Sequence, residues 1–327
     1  MRHGRRACRA AICAAVLVLI AGGPVLAAER IIEIAGPAGP LQGALRADGP
    51  VKAAAIIVPG SGPTDRDGNN PLGVAASTYR LLADGLAADG IATLRIDKRG
   101  MFGSRRAIAD ANAVTVADYA ADIRSWAKKL RAETQVGCVW VIGHSEGGLM
   151  ALAAGADEDI CGLVPVAAPG RPFGDVLREQ LRANPANAAL LTSALAAIDS
   201  LEAGNRIDPA SLAPPLLQLF HPSVQAFLID IMSYDPARLI AAVSKPVLIV
   251  QGQRDLQVLE ADARRLQAAS SAGAEILLLP DVNHVLKRVA TGDRAANSAT
   301  YGRPDLPLAP GVTEGISRFI LRHASVP

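Results

Sequence analysis

Val139-Trp140-Val141-Ile142-Gly143-His144-Ser145-Glu146-Gly147-Gly148 is the stretch whose reading decides the fold. An apolar, largely β-branched run, of the kind that fills a strand buried on both faces, ends in Gly-x-Ser-x-Gly. A stretch of small and apolar residues follows in a helical pattern from Leu149 to Ala154. The order is strand, sharp turn, helix. So tight a turn admits only small residues two positions either side of the serine, and it lifts the hydroxyl clear of the sheet. The pentapeptide alone arises by chance. Between a buried strand and a helix it marks Ser145 as a candidate nucleophile.

Outward from this segment, strand-like runs occur at Ala53–Val58, Ile91–Ile96, Cys138–Ile142, Leu163–Ala167, Pro246–Val250 and Glu275–Leu279. Helical patterns alternate with them, which predicts βαβ units and a mostly parallel sheet. Arg30–Ile34 and Leu41–Arg46 read as a hairpin leading into it. The clearest helix spans Val116 to Arg131, with Tyr119, Ile123, Trp126, Ala127 and Leu130 on one face. Thr115 and Asp118 suit its start, and Lys128, Lys129 and Arg131 suit the negative end of its dipole. The alternation stops between about Arg171 and Val243, where the pattern is helical throughout. Leu191, Leu195, Ile198 and Leu201 form one stripe; Val224, Phe227, Leu228, Ile231 and Met232 form another, after a Pro222 suited to a first helical turn. This segment reads as a lid over the carboxyl edge of the sheet, the alternative being an extension of the core. Thr291 to Gly311 reads as irregular, either a mobile loop or part of a site wall.

A chain of 327 residues, half of them apolar, is globular and can bury a large core. Its first residues differ from the rest. Arg2, Arg5, Arg6 and Arg9 precede an apolar run from Ala10 to Ala21, and Val25-Leu26-Ala27 is a small-residue cleavage pattern. Residues 1–27 are therefore expected to be a signal peptide and 28–327 the working domain, periplasmic or secreted, with an uncleaved anchor as the competing reading. Arg5-Arg6 lacks the continuation of a twin-arginine signal, and neither Cys8 nor Cys13 is placed as a lipoprotein cysteine. Removing the leader leaves 29 basic residues against 31 acidic, so the net charge of +2 belongs to the leader. Clustered basic residues with interleaved aromatics are missing, so no nucleic-acid partner is expected, nor stable membrane insertion after cleavage. The sequence does not speak to oligomeric state. Cys138 and Cys161 each start one of two consecutive strands; if these are neighbours the pair is within disulfide range, and the alternative is two buried thiols.

A serine hydroxyl needs a base to take its proton and a carboxylate to orient the base. Of five histidines, His3 lies in the leader, His144 should point away from the serine hydroxyl, His221 is in the helical segment and His323 is near the terminus. His284 remains, just beyond the strand Glu275–Leu279, where an open α/β sheet places its catalysts. By the same logic Asp255 follows the strand ending at Val250; capping the helix that starts near Leu259 is its alternative role. Asp230 lies in a helix, and Asp281 is too close to His284 in sequence to orient it easily. A tetrahedral oxyanion needs two N–H donors. Glu146, directly after the serine, should supply one; Ser61, in Pro59-Gly60-Ser61-Gly62-Pro63-Thr64-Asp65-Arg66-Asp67-Gly68-Asn69, should supply the other. Asp65, Asp67 and Asn69 have calcium-loop spacing, but Asn70 and Ala76 stand where glycine and glutamate are required. Asp65 and Asp67 are expected to brace the loop through side-chain-to-backbone bonds.

Ser145, Asp255, His284 is the chain order of the α/β-hydrolase triad. From about residue 40 onward the chain resembles that superfamily. Within it, the loop Gly60 to Asn69 is similar to the Gly-Ser-Gly-Pro-x-Asp-Arg-Asp-Gly-Asn loop of a group of bacterial esterases often labelled serine-aminopeptidase-like. Asp97-Lys98-Arg99-Gly100-Met101-Phe102-Gly103-Ser104 is similar to the family's Asp-x-Arg-Gly-x-Gly-x-Ser turn, with two residues, Met101 and Phe102, where one is usual. The resemblance implies an eight-stranded, mostly parallel sheet flanked by helices, with a helical lid. It also implies a serine hydrolase acting on small-molecule carboxylic esters without metal or cofactor. A peptidase or thioesterase would use the same residues, and a free α-amine would need acidic partners, for which Glu179, Asp199, Glu202 and Asp230 are available. A non-catalytic binding protein of the same fold is the reading from another class. Aromatics make up only 3% of the chain, with Phe220, Phe227 and Tyr234 in the lid region, which points to a small or short-chain acyl group.

Overall fold

The computed structural model describes Met1 and residues 29–324, so the predicted signal peptide falls outside the described residues apart from Met1. Ten strands run β1 Arg30–Ala35, β2 Pro40–Arg46, β3 Ala53–Val58, β4 Asn69–Asn70, β5 Val74–Ala75, β6 Ile91–Ile96, β7 Val139–His144, β8 Ile160–Val166, β9 Leu248–Gly252 and β10 Glu275–Leu279. Eight of them make one sheet in the order β1-β2-β6-β3-β7-β8-β9-β10, while β4 and β5 form a small separate hairpin. β1, β2 and β6 pair antiparallel and the other pairs are parallel. β3, β6 and β7 are buried at every position, as strands covered on both faces must be.

The helices are α1 Thr78–Ala88, α2 Val116–Thr134, α3 Glu146–Ala154, α4 Phe173–Ala183, α5 Leu191–Glu202, α6 Pro214–Leu217, α7 Gln225–Met232, α8 Pro236–Ala241, α9 Glu260–Ala269, α10 Arg294–Ala299 and α11 Val312–His323. One face of the sheet carries α2, α3 and α9 around Trp126, Leu149 and Leu266; the other carries α1 and α11 around Leu82, Leu86 and Phe319. α2 starts as its sequence predicts: the Thr115 hydroxyl accepts from the Asp118 N–H at 3.1 Å, and the Asp118 carboxylate accepts from the Thr115 N–H at 3.0 Å. It runs on to Thr134 and stops at Gln135, in the left-handed region at φ 60°. Among the described residues no helix is long and apolar enough to cross a membrane.

The segment from Arg171 to Val243 is helical, as expected. α4, α5 and α7 pack around Leu177, Ile198, Leu201, Phe220 and Leu228, a cluster of their own apart from the sheet's two faces. The helix expected from Pro222 begins instead at Gln225. The Ser223 N–H turns back to the His221 ring at 3.3 Å, and the Gln225 amide binds the Phe220 carbonyl at 3.0 Å. β9 also starts later than predicted. Pro246 has no N–H for the ladder and offers only its carbonyl, to the Leu163 N–H at 3.1 Å. Thr291 to Gly311 is not irregular throughout: the Asp293 carboxylate accepts from the Ala296 N–H at 2.7 Å and starts α10.

Cys138 and Cys161 form a disulfide, with Cα atoms 5.2 Å apart. Cys161 is the extra residue of an irregularity between β7 and β8, where Val139 faces Ile160 but Trp140 faces Gly162. Replacing both cysteines by alanine is expected to lower the unfolding free energy by about 3 kcal/mol, the value for a loop of this size. Ser145 lies roughly 20 Å away along β7, at about 3.3 Å per residue, and should keep its reactivity. Urea unfolding of the oxidised protein and the double variant checks this; equal midpoints would reject it.

Candidate active site

The Gly-x-Ser-x-Gly segment makes the turn its sequence demands. Ser145 sits between β7 and α3 at φ 54° and ψ −124°, a backbone state that L-residues rarely hold. A methyl group on Gly143 would run into the Gly147 carbonyl, and one on Gly147 would lie 2.5 Å from the Val58 carbonyl oxygen. The serine N–H is held by the Val166 carbonyl at 2.9 Å. Strand packing thus fixes the strained residue from both sides.

Asp255 and His284 lie on the turns that follow β9 and β10. They meet there: His284 Nδ1–H donates to Asp255 Oδ2 at 2.7 Å, and both side chains are buried. The other carboxylate oxygen accepts from the N–H groups of Gln257 at 2.7 Å and Val258 at 3.0 Å, which fixes its orientation. Asp255 does not cap α9, whose start at Leu259 has no side-chain cap. With Nδ1 carrying the proton, Nε2 is left unprotonated and able to accept one. His284 and Ser145 line the same small chamber, of about 130 Å³. The Ser145 hydroxyl makes no hydrogen bond among the described residues; such links are commonly loose without substrate. The rival carboxylates are elsewhere, Asp281 near Arg254 and Arg288, and Asp230 accepting from the Val116 N–H at 2.7 Å.

Two side chains without a role in the sequence reading, Tyr79 and His144, complete the support. The Tyr79 hydroxyl accepts from the Gly60 N–H at 3.0 Å and meets His144 Nδ1 at 2.9 Å. His144 Nε2 in turn meets the His284 carbonyl at 2.8 Å. Since the carbonyl can only accept, His144 is protonated at Nε2 and takes the Tyr79 proton at Nδ1. His144 bonds away from the serine, as expected, and it holds the backbone of His284. Burial, then the neighbouring His284, push its pKa from 6.5 down to about 3. Between those values the unfolded chain binds a proton that the folded one refuses. The stability this ring contributes is therefore complete above about pH 6.5 and is lost as the pH falls toward 3. Urea midpoints should drop from pH 7 to pH 4, and less so in His144→Gln; parallel pH profiles would reject the assignment.

The oxyanion candidates are also placed together. The Glu146 N–H is in the first turn of α3, where helix geometry leaves it without an intrahelical partner. Gly60 passes so close that a Cβ there would lie 3.2 Å from that of Ser145. The buried Lys98 ammonium donates to the Gly60 carbonyl at 2.7 Å and approaches the Glu146 carboxylate at 3.4 Å. A trans peptide points its C=O and the following N–H in opposite directions, so Lys98 on the carbonyl turns the Ser61 N–H away from itself. That N–H has no acceptor among the described residues. Lys98→Met is expected to lower kcat by about 100-fold, the typical cost of a lost oxyanion donor. A kcat within threefold of wild type would remove Lys98 from this role.

The rest of the Gly60–Asn69 loop is braced from below. Asp65 accepts from the N–H groups of Asp67 and Asn69, each at 2.8 Å, as expected. Asp67 differs: its carboxylate pairs with the buried Arg95, and its backbone carbonyl accepts from the Tyr79 N–H at 3.1 Å. Asp97 ties the two loops that flank the site, accepting from the N–H groups of Arg66 at 2.9 Å and Gly103 at 3.0 Å.

A family profile described as "Alpha/beta hydrolase family" matches residues 55–291. The chain belongs to the alpha/beta hydrolase family. It is similar to Esterase EstD of Thermotoga maritima, with 27% identity over 239 residues, covering 71% of this chain and 54% of that protein. The chain thus spans about half the length of the curated relative it matches. Among solved structures, the esterase domain of a Rhodothermus marinus protein superposes with a TM-score of 0.55 at 16% identity, covering 91% of this chain and all of that one. Est1E of Butyrivibrio proteoclasticus, solved with ferulic acid, gives 0.56 at 17% identity over 89% and 98% of the two chains. At such identities these two likenesses speak for the fold alone.

This alpha/beta hydrolase carries a second, larger cavity on the lid side of Ser145, of about 710 Å³. Phe173, Val176 and Leu177 of α4, Leu219, and Phe227 and Leu228 of α7 face it. That volume is larger than a small acyl group would fill. Within Thr291 to Gly311, Tyr301 lines the small chamber and accepts from Gln257 Nε2 at 2.9 Å, while Asn283 holds Thr300 Oγ1 at 2.7 Å. The remaining histidines are remote in role, His221 bonded to Ser223 and His323 to the Phe319 carbonyl. Among the described residues no group of three or more His, Cys, Asp or Glu could hold a metal ion.

Proposed function

We propose that the protein is a serine hydrolase that cleaves carboxylic esters through an acyl-enzyme. The observation that carries this reading is the 2.7 Å contact between His284 and Asp255 beside a serine held in a strained turn. Ser145 Oγ attacks the ester carbonyl while His284 Nε2 takes its proton. Asp255 keeps the imidazole oriented and stabilises its charge. The Ser61 and Glu146 amides receive the oxyanion. His284 then returns the proton to the leaving alkoxide, and a water activated by the same nitrogen releases the acid.

An aminopeptidase reading is less well supported. Glu179 pairs with Arg171, Asp199 and Glu202 with Arg178, and Asp230 with a backbone N–H. None of these four lines either cavity, and the Glu146 carboxylate, which lines the large one, already faces the buried Lys98 ammonium at 3.4 Å. The loop Gly60–Asn69 supports membership of the esterase group it resembles. The basic and apolar leader, together with the disulfide, supports action in the periplasm or outside the cell; a mature protein starting at Ala28 or Glu29 would agree with it.

A small fluorophosphonate should label Ser145 in the folded mature protein, and p-nitrophenyl acetate should be hydrolysed faster than an aminoacyl p-nitroanilide. An unlabelled serine would favour a binding protein of this fold. A faster anilide would favour the peptidase.

A further inference from the structure

We propose that the site is divided at Ser145, and that its ester joins a long or bulky apolar acyl group to a small polar alcohol. This rests on the ester-hydrolase reading above and assigns the two halves of its substrate. Ser61, Ser145 and Gln257 line both cavities, so the reacting carbon sits where the two meet.

The direction follows from the proton. The leaving oxygen must receive a proton from His284, and His284 lines only the small chamber. The alcohol therefore occupies that side. The acyl chain is then left on the lid side, in the large cavity.

The linings match these occupants. The large cavity, about 710 Å³, is within the range that holds a ligand of several tens of atoms. The small one, about 130 Å³, is faced by Thr64, Asn70, His284 and Tyr301. Tyr301 already accepts from Gln257, so its own proton is free for a hydroxyl of the alcohol. Burial pushes its pKa up to about 12, which keeps that proton in place.

An independent observation comes from the loop that departs from the family pattern. Phe102, the extra residue after Met101, is in the left-handed region at φ 45° and 37% exposed, and both residues line the large cavity. Leu72, on the hairpin between β4 and β5, lines it too and is 82% exposed. Strain and apolar exposure at one rim are costs that contact with an apolar chain would offset.

The test uses mature protein with soluble esters below their aggregation limits. With glycerol as the fixed alcohol, kcat/KM should rise about fourfold per methylene from acetate to octanoate, as burial of each methylene predicts. Glyceryl octanoate should exceed octyl acetate, which reverses the polarity, by about 100-fold or more, the sum of several such methylenes. Phe227→Trp and Leu177→Trp, which fill the cavity, should each lower the octanoate-to-acetate ratio at least tenfold, as overpacking a pocket does. Equal or faster turnover of octyl acetate, or a flat acyl series, would overturn the division while acetate hydrolysis and fluorophosphonate labelling of Ser145 left the ester reading standing. Loss of labelling and of all ester turnover would instead overturn both.

Discussion

Alanine at Ser145 is expected to cut kcat on an activated ester by about 10⁴- to 10⁶-fold, the range found when a triad nucleophile is removed. The nearby hydroxyls are unsuited to replace it. Thr78 donates to the Val285 carbonyl at 3.0 Å, Thr64 donates to the Ser61 carbonyl at 2.9 Å, and Tyr79 is buried with both neighbours satisfied. What remains is water attacking a carbonyl polarised by two amides. The fold should survive, because the left-handed turn is imposed by Gly143, Gly147 and the strands around them, and alanine occupies it as serine does. A variant retaining a hundredth of the activity, with an unchanged melting curve, would mean that another group attacks.

Asparagine at Asp255 is expected to lower kcat by about 10⁴-fold with KM little changed, the effect of the corresponding exchange in other serine triads. The two side chains have nearly the same volume, and the oxygen that accepts from Gln257 and Val258 can be kept. The amide nitrogen must then face His284 Nδ1, where it can only donate. That forces the imidazole proton onto Nε2, and a protonated Nε2 cannot accept from the serine. Nitrogen NMR of the labelled imidazole should show the exchanged tautomer. A loss below tenfold would give the orienting role to a different group.

Most of the site-bearing frame was legible. β3, β6 and β10 have the predicted bounds because each is an unbroken apolar or mixed run closed by glycine, proline or a charged turn. Ser145, Asp255 and His284 were singled out because strand ends in an α/β sheet are few and each carried one suitable side chain, and the structure brings Asp255 and His284 into contact. Tyr79, His144 and Lys98 could not be assigned roles this way. Their partners are Gly60, His284 and Glu146, separated from them by 19, 140 and 48 positions, and no local pattern encodes such pairing. The size of the lid cavity was hidden for a related reason. Helical stripes show which residues turn inward, whereas the gap between two packed layers depends on how both are hung from the sheet. α10 was closer to hand: Asp293 three residues before Ala296 is a recognisable helix start.

The lid's separate apolar cluster has a consequence for how such a protein can change. Its helices pack on one another, and they meet the layer below through Ile231, Ile240 and Phe227 as well as through polar ties such as Arg171 to Asp262, Gln180 to the Gln257 carbonyl and Asp230 to the Val116 N–H. The residues of α4 and α7 that face the cavity can therefore change while the strands that hold Ser145, Asp255 and His284 stay untouched. The wall of the large cavity and the residues at the strand ends thus sit on separate parts of the chain, so that one can vary while the other is kept.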